Sequence, residues 1–161
     1  MARSSGLTPS ERYLRSLCDR SFLTLWSYPN LYKAPGQELC DLLVVFGHHV
    51  IIFSDKSCDF PNTGNLKLDW SRWYRRSIKK SADQVFGAER WIRSHPDRIF
   101  TDSRCTQRFP LDLPPRDQVS FHRLVVALGA AERSRAHLGG SGSLMLIAAD
   151  CSRRRDAVCR R

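Results

Sequence analysis

No stretch of this sequence is long and apolar enough to cross a bilayer, which takes about 20 consecutive apolar residues. The longest apolar runs, 42–46 and 50–53, are parted by Gly47-His48-His49. The opening residues, MARSSGLTPSERYLRSLCDR, hold no apolar segment of the kind a secretory signal needs. Cysteines stand at 18, 40, 58, 105, 151 and 159, with no C-x-x-C pair and no Cys/His ligand spacing, which argues against structural zinc. A cytoplasmic protein with reduced thiols is the economical expectation, with no membrane partner and with Cys18 and Cys40 as small core residues. No internal repeat is visible. The glycine-rich LGGSGS (138–143) lacks the lysine and the helix context of a P-loop and reads as a turn.

Acidic residues are also in short supply. Asp and Glu number 16 against 26 Lys and Arg, a net charge of +10. Such an excess favours a polyanionic partner, nucleic acid before an anionic membrane surface. The length of 161 residues suits one domain, placed at 1–149, large enough to bury roughly two thirds of the unfolded chain's surface. The remainder, 150–161, is basic and aperiodic and is expected to be a disordered tail.

Local patterns give an element order. Thr8-Pro9-Ser10-Glu11 has capping-box spacing, and Leu14, Leu17 and Cys18 follow at helical intervals, predicting a helix over 9–19. SFLTLWSY (21–28) has strand-like residues and ends at the turn signal Pro29-Asn30. Asp41–Phe46 and Val50–Ser54 flank a tight Gly-His turn and predict an antiparallel hairpin. Both its faces are apolar, so it should lie centrally in a sheet covered on both sides. Residues 57–69 read as loop. Asp69 is a suitable N-cap for a long helix to about 94, with Trp70, Trp73, Tyr74, Ile78, Ala82, Val85 and Ile92 on one face. Arg72, Arg75, Arg76, Lys79 and Lys80 fall mostly off that face. Residues 100–117 are Pro-rich connection with room for one short strand. Strands are expected at 119–130 and 143–149.

A two-residue turn at Gly47-His48 pairs residues whose numbers sum to 95, so Asp41 opposes Ser54. Opposed residues share a face and side chains alternate. Asp41, Ser54 and Lys56 then project to one side, and Cys40 and Asp55 to the other. The order helix–strand–strand–strand–helix–strand, with Asp41 opening the second strand and Ser54-Asp55-Lys56 closing the third, resembles the PD-(D/E)XK nuclease superfamily over residues 9–128. The resemblance implies an α/β fold, restriction-endonuclease-like, with an α-β-β-β-α-β core and a mixed central sheet flanked by helices. It further implies Mg²⁺ (or Mn²⁺) held by Asp41 and a second carboxylate, Lys56 acting on the water or the transition state, and phosphodiester hydrolysis. Glu11 occupies the family's helix position.

The pattern has a degenerate point. Ser54 stands where the family has its second acid, and Asp55, the nearest carboxylate, faces away unless a bulge shifts the parity. Glu11 or Glu38 could supply the missing ligand. Arg72, Arg75, Arg76, Lys79 and Lys80 would contact the nucleic-acid backbone, DNA before RNA, with a homodimer left open. Plainer roles exist for each: Glu11 as a capping residue, Asp41 and Lys56 as a solvated ion pair, the cations as a wet helix face. A catalytically inactive nuclease-fold domain that binds nucleic acid or a protein is the second hypothesis.

Overall fold

The computed structural model describes residues 9–22 and 25–139. The chain divides into two compact units, Met1–Gly129 and Ala130–Arg161. In the second unit the described residues hold one helix, Ala131–Leu138, which sequence patterns did not suggest. The Thr8 cap, the strand at 143–149 and the basic tail lie outside the described residues.

The first unit is a helix–sheet–helix arrangement. Helix α1 runs over Pro9–Phe22, starting where expected and ending later. SFLTLWSY is therefore not the first strand: its first two residues finish α1, and β1 is Ser27–Ala34. Pro29 and Asn30, expected as a turn, sit inside it. The sheet order β1-β2-β3-β4 makes β1 an edge strand, where proline's missing N–H need not face a partner. Asn30 has φ of 50°, and the pairing with β2 shifts just beyond it, between Leu31 and Tyr32. Asparagine tolerates that left-handed backbone better than most residues do.

Strands β2 (Gln37–Phe46) and β3 (His49–Ser57) form the expected hairpin at the centre of the sheet. Leu42 pairs with Phe53, Leu43 with Ile52, and Phe46 with His49. Strand β4 (Ser120–Leu128) runs parallel to β3 along its whole length, from His49↔Ser120 to Ser57↔Leu128. The sheet is thus mixed. Leu42, Val44 and Phe53 pack on Leu14 and Cys18 of α1; burial, and then the Asp19 charge, push the Cys18 thiol up to about 11. Leu43, Val45, Val50 and Ile52 point the other way, onto Val85, Ala88 and Ile92. Alternation of side chains across a pleated strand explains both cores from one hairpin.

The second layer is a long helix with a fault in it: α2 (Leu66–Tyr74), a π turn (Arg75–Lys79) and α3 (Lys80–Ser94). Its N-cap is Asn65, not Asp69; the Asn65 side chain accepts from the Leu68 N–H at 3.1 Å. Asp69 instead turns inward and accepts from the Thr63 N–H and hydroxyl at 3.0 and 2.8 Å. The expected apolar face is also displaced in the middle. Trp73, Val85 and Ile92 are buried, but Tyr74 is exposed and Ser77 and Ser81 hold the innermost places. Asp69, Trp73, Ser77, Ser81 and Val85, each four apart, are all buried. In an unbroken α-helix four such steps drift by about 160°. The π turn adds a residue to one turn and sets the following segment back by roughly 100°, so the row stays against the sheet. Between α3 and β4 no further strand forms; Phe100 makes isolated bridges to Tyr32 and Arg108.

The ends of β3 and β4 are held together at Gly129. Its φ is +100°, and a β-carbon there would collide with the Cys58 carbonyl. Gly129→Ala is therefore expected to cost about 2–4 kcal/mol, combining backbone strain with a steric clash. Urea denaturation measures this, and an unchanged midpoint would contradict the arrangement.

Candidate active site

The backbone pairing of β2 with β3 ends at Leu42 and Phe53. One residue further the strands part, and Asp41 fills the opening. Its Oδ2 accepts the Asp55 backbone N–H at 2.6 Å, in place of a ladder carbonyl. Its Oδ1 accepts from Gln84 Nε2 on α3 at 3.4 Å. Gln84 Oε1 in turn accepts the Ser54 hydroxyl at 3.1 Å. Asp41 and Ser54 are buried, at 5% and 0% exposure, and Gln84 is half-buried, so these bonds are partly shielded from water and hold the carboxylate in one orientation. Each carboxylate oxygen has two acceptor positions, and the bonds named here use one on each.

Lys56 follows Ser54 by two residues and so projects from the same side of β3, half-buried. Glu38, near the start of β2, links the remaining charges. Partial withdrawal from water is the main cause that raises its carboxyl above the ordinary range. The charges of Asp41 and then Glu11 push it further, and Lys56 acts against them. Glu11, Glu38, Asp41 and Lys56 therefore share one electrostatic neighbourhood, with three acids to one base.

Asp55 is placed differently. The β3–β4 register is unbroken from His49 to Ser57, so β3 has no bulge to turn it. Alternation keeps its buried side chain on the Phe53 side of the sheet, and only its backbone N–H meets Asp41. Arg72, Arg75, Arg76, Lys79 and Lys80 are all exposed. His49 and His122 lie apart from the site, ring nitrogens 3.0 Å from one another across β3 and β4.

Gln84 escaped the sequence patterns because a glutamine on an amphipathic helix carries no signal by itself. Its place follows from the row of Asp69, Trp73, Ser77, Ser81 and Val85, spaced by four, which the π turn keeps buried and which sets Gln84 one residue before Val85 beside the sheet.

Among the described residues no group of three or more His, Cys, Asp or Glu side chains is arranged around a metal position. Mg²⁺ needs less: one or two carboxylates, with waters and substrate phosphate completing six oxygens. Asp41, with acceptor positions beyond its two protein bonds, offers one such carboxylate, and Glu38 lies in the same electrostatic neighbourhood. Asp55 offers no carboxylate on this side. Compared with known protein families, curated proteins and solved structures, the chain finds no match.

Glu38 gives a test in pH. Its folded pKa lies above its unfolded value, so the folded state binds more protons between the two, and stability falls as pH rises through that window. Glu38→Gln should raise Tm at pH 7, with the gap closing below about pH 4, where both side chains are neutral. A gap independent of pH would remove the electrostatic crowding from the account.

Proposed function

We propose that this chain is a metal-dependent nuclease of restriction-endonuclease-like fold, acting in the cytoplasm on nucleic acid, DNA before RNA. The observation that carries the reading is the Asp41 carboxylate fixed by Gln84 and the Asp55 N–H where the central strands part, with Lys56 on the same side of the neighbouring strand. The element order of the first unit and its mixed four-stranded sheet agree with the superfamily resemblance. The net charge of +10 suits a polyanionic substrate.

In this reading Asp41 and Glu38 would hold Mg²⁺ or Mn²⁺, with Glu11 behind them. When bound, the cation lowers the pKa of a water and offsets charge on the phosphate. Lys56 supplies a positive charge toward the non-bridging phosphate oxygens, where negative charge grows as water attacks. Gln84 positions the Asp41 carboxylate and Ser54 completes that support. Asp55 contributes its backbone N–H rather than its carboxylate. Arg72, Arg75, Arg76, Lys79 and Lys80 attract the phosphate backbone without regard to sequence.

One observation favours a second reading. Ser54 stands where the superfamily has an acid, and its hydroxyl is committed to Gln84. A nuclease-fold domain that binds nucleic acid or a protein without cutting would tolerate this.

Cleavage of plasmid, single-stranded DNA and RNA with Mg²⁺ or Mn²⁺ separates the two. The nuclease reading expects a metal-dependent activity that falls roughly 100-fold or more in Asp41→Ala and in Lys56→Ala, at unchanged circular dichroism. Activity that survives both substitutions would come from elsewhere. Salt-sensitive binding with no cleavage supports the inactive binder.

A further inference from the structure

The five cations at 72–80 form two rows on the helix surface. Arg72, Arg76 and Lys80 are four residues apart; Arg75 and Lys79 form the second row. In an ordinary α-helix the first row would wind away by about 40° per step. The π turn at Arg75–Lys79 cancels most of that drift, in line with the unbroken burial of Asp69, Trp73, Ser77, Ser81 and Val85 one residue further round. Continued by four residues, the first row reaches Gln84, which bonds Asp41 and Ser54. The second row runs instead into Asp83.

These cations are also unneutralised. Arg93 and Arg123 share Glu89, and Arg15 pairs with Asp19, but none of the five makes an ion pair with a described carboxylate. No acid occurs between Asp69 and Asp83, and Asp69 is buried against Thr63. Arg76 reaches only the Asp59 backbone carbonyl, at 3.4 Å. Beside Arg72, Arg75 and Arg76 the surface forms an open concavity of about 370 Å³ closed on one side by Pro61. A cluster of arginines left without acids, at the far end of a row from a fixed carboxylate, is suited to a polymer carrying anions at regular intervals.

We infer that Arg72, Arg76 and Lys80 form a phosphate track that leads one nucleic-acid strand along the helix to the Asp41–Gln84–Ser54 site. This deepens the nuclease reading and rests on it only for what happens at the end of the track. From Arg72 to Gln84 the row is roughly 18 Å long at 1.5 Å per residue. At about 3.4 Å per phosphate of one strand, that accommodates roughly five phosphates, all on one side of the site. An anionic membrane is the less suitable partner, because its charge is spread over a surface, whereas these cations follow one narrow row.

The test is binding of fluorescent single-stranded and duplex oligonucleotides in EDTA, where no cleavage occurs. Log affinity is followed against log salt concentration for the full chain and for the triple variant Arg72→Gln/Arg76→Gln/Lys80→Gln. A control triple, Arg20→Gln/Arg90→Gln/Arg104→Gln, removes the same charge from exposed positions elsewhere, and thermal melting verifies the fold of each. The track predicts that the row variant loses about 2–3 units of salt slope and at least 10-fold in affinity, with less than 3-fold for the control. Equal losses in the two triples, no binding by the parent chain, or a preference for phosphatidylserine vesicles over oligonucleotides would overturn it. Row-dependent binding by a protein that never cleaves leaves the track standing and removes the nuclease reading. Cleavage combined with unimpaired binding by the row variant does the reverse.

Discussion

The geometry of the candidate site depends on the register between β2 and β3. Pairing of Leu42 with Phe53 and Leu43 with Ile52 divides one apolar hairpin into two inner faces, one for α1 and one for α3. The same parity decides the polar ends. Where the backbone bonds stop, Asp41 replaces a carbonyl as acceptor for the Asp55 N–H. A slip of one residue would send Asp41 to the α1 side and bury its charge among Leu14, Cys18 and Phe53. Hydrophobic packing thus specifies the position of a carboxylate that it never touches.

The α3 layer adds the second constraint. The π turn costs a regular hydrogen-bond pattern in the middle of a helix, a local irregularity often found beside functional sites. Its effect is geometric: it takes back roughly 100° of the drift of rows four residues apart and so keeps Asp69 to Val85 on the sheet side. Ser77 and Ser81, both without exposure, keep that row thin where it meets the sheet. Gln84 then lies close enough to bond both Asp41 and Ser54, joining the second layer to the hairpin's open end.

Much of this was legible in the residues, and the gaps have physical causes. A tight turn between two β-branched runs leaves one sensible pairing, so the hairpin, its register and the shared side of Asp41, Ser54 and Lys56 could be worked out from local chemistry. The first strand could not. Residues 21–28 carry strand-like side chains, but Ser21 and Phe22 finish α1, and the edge position of β1 excuses Pro29, which reads locally as a strand breaker. The helix start was displaced because Asn65 and Asp69 are both competent caps, and Asp69 found a better use in holding Thr63. The π turn has no local signature in RRSIK, so the innermost positions shift from Ile78 and Ala82 to Ser77 and Ser81. Gln84 depends on that shift and stayed hidden with it.

The proposed activity turns on Asp41 as an oxygen ligand for a divalent cation beside a phosphodiester. Anomalous diffraction from crystals grown with Mn²⁺ and an oligonucleotide tests this most directly. The expected result is a Mn²⁺ peak about 2–2.5 Å from an Asp41 carboxylate oxygen, with substrate phosphate in its shell and the Lys56 ammonium facing the same phosphate. An oligonucleotide seated with its phosphates elsewhere, or Mn²⁺ bound only away from Asp41, would contradict it.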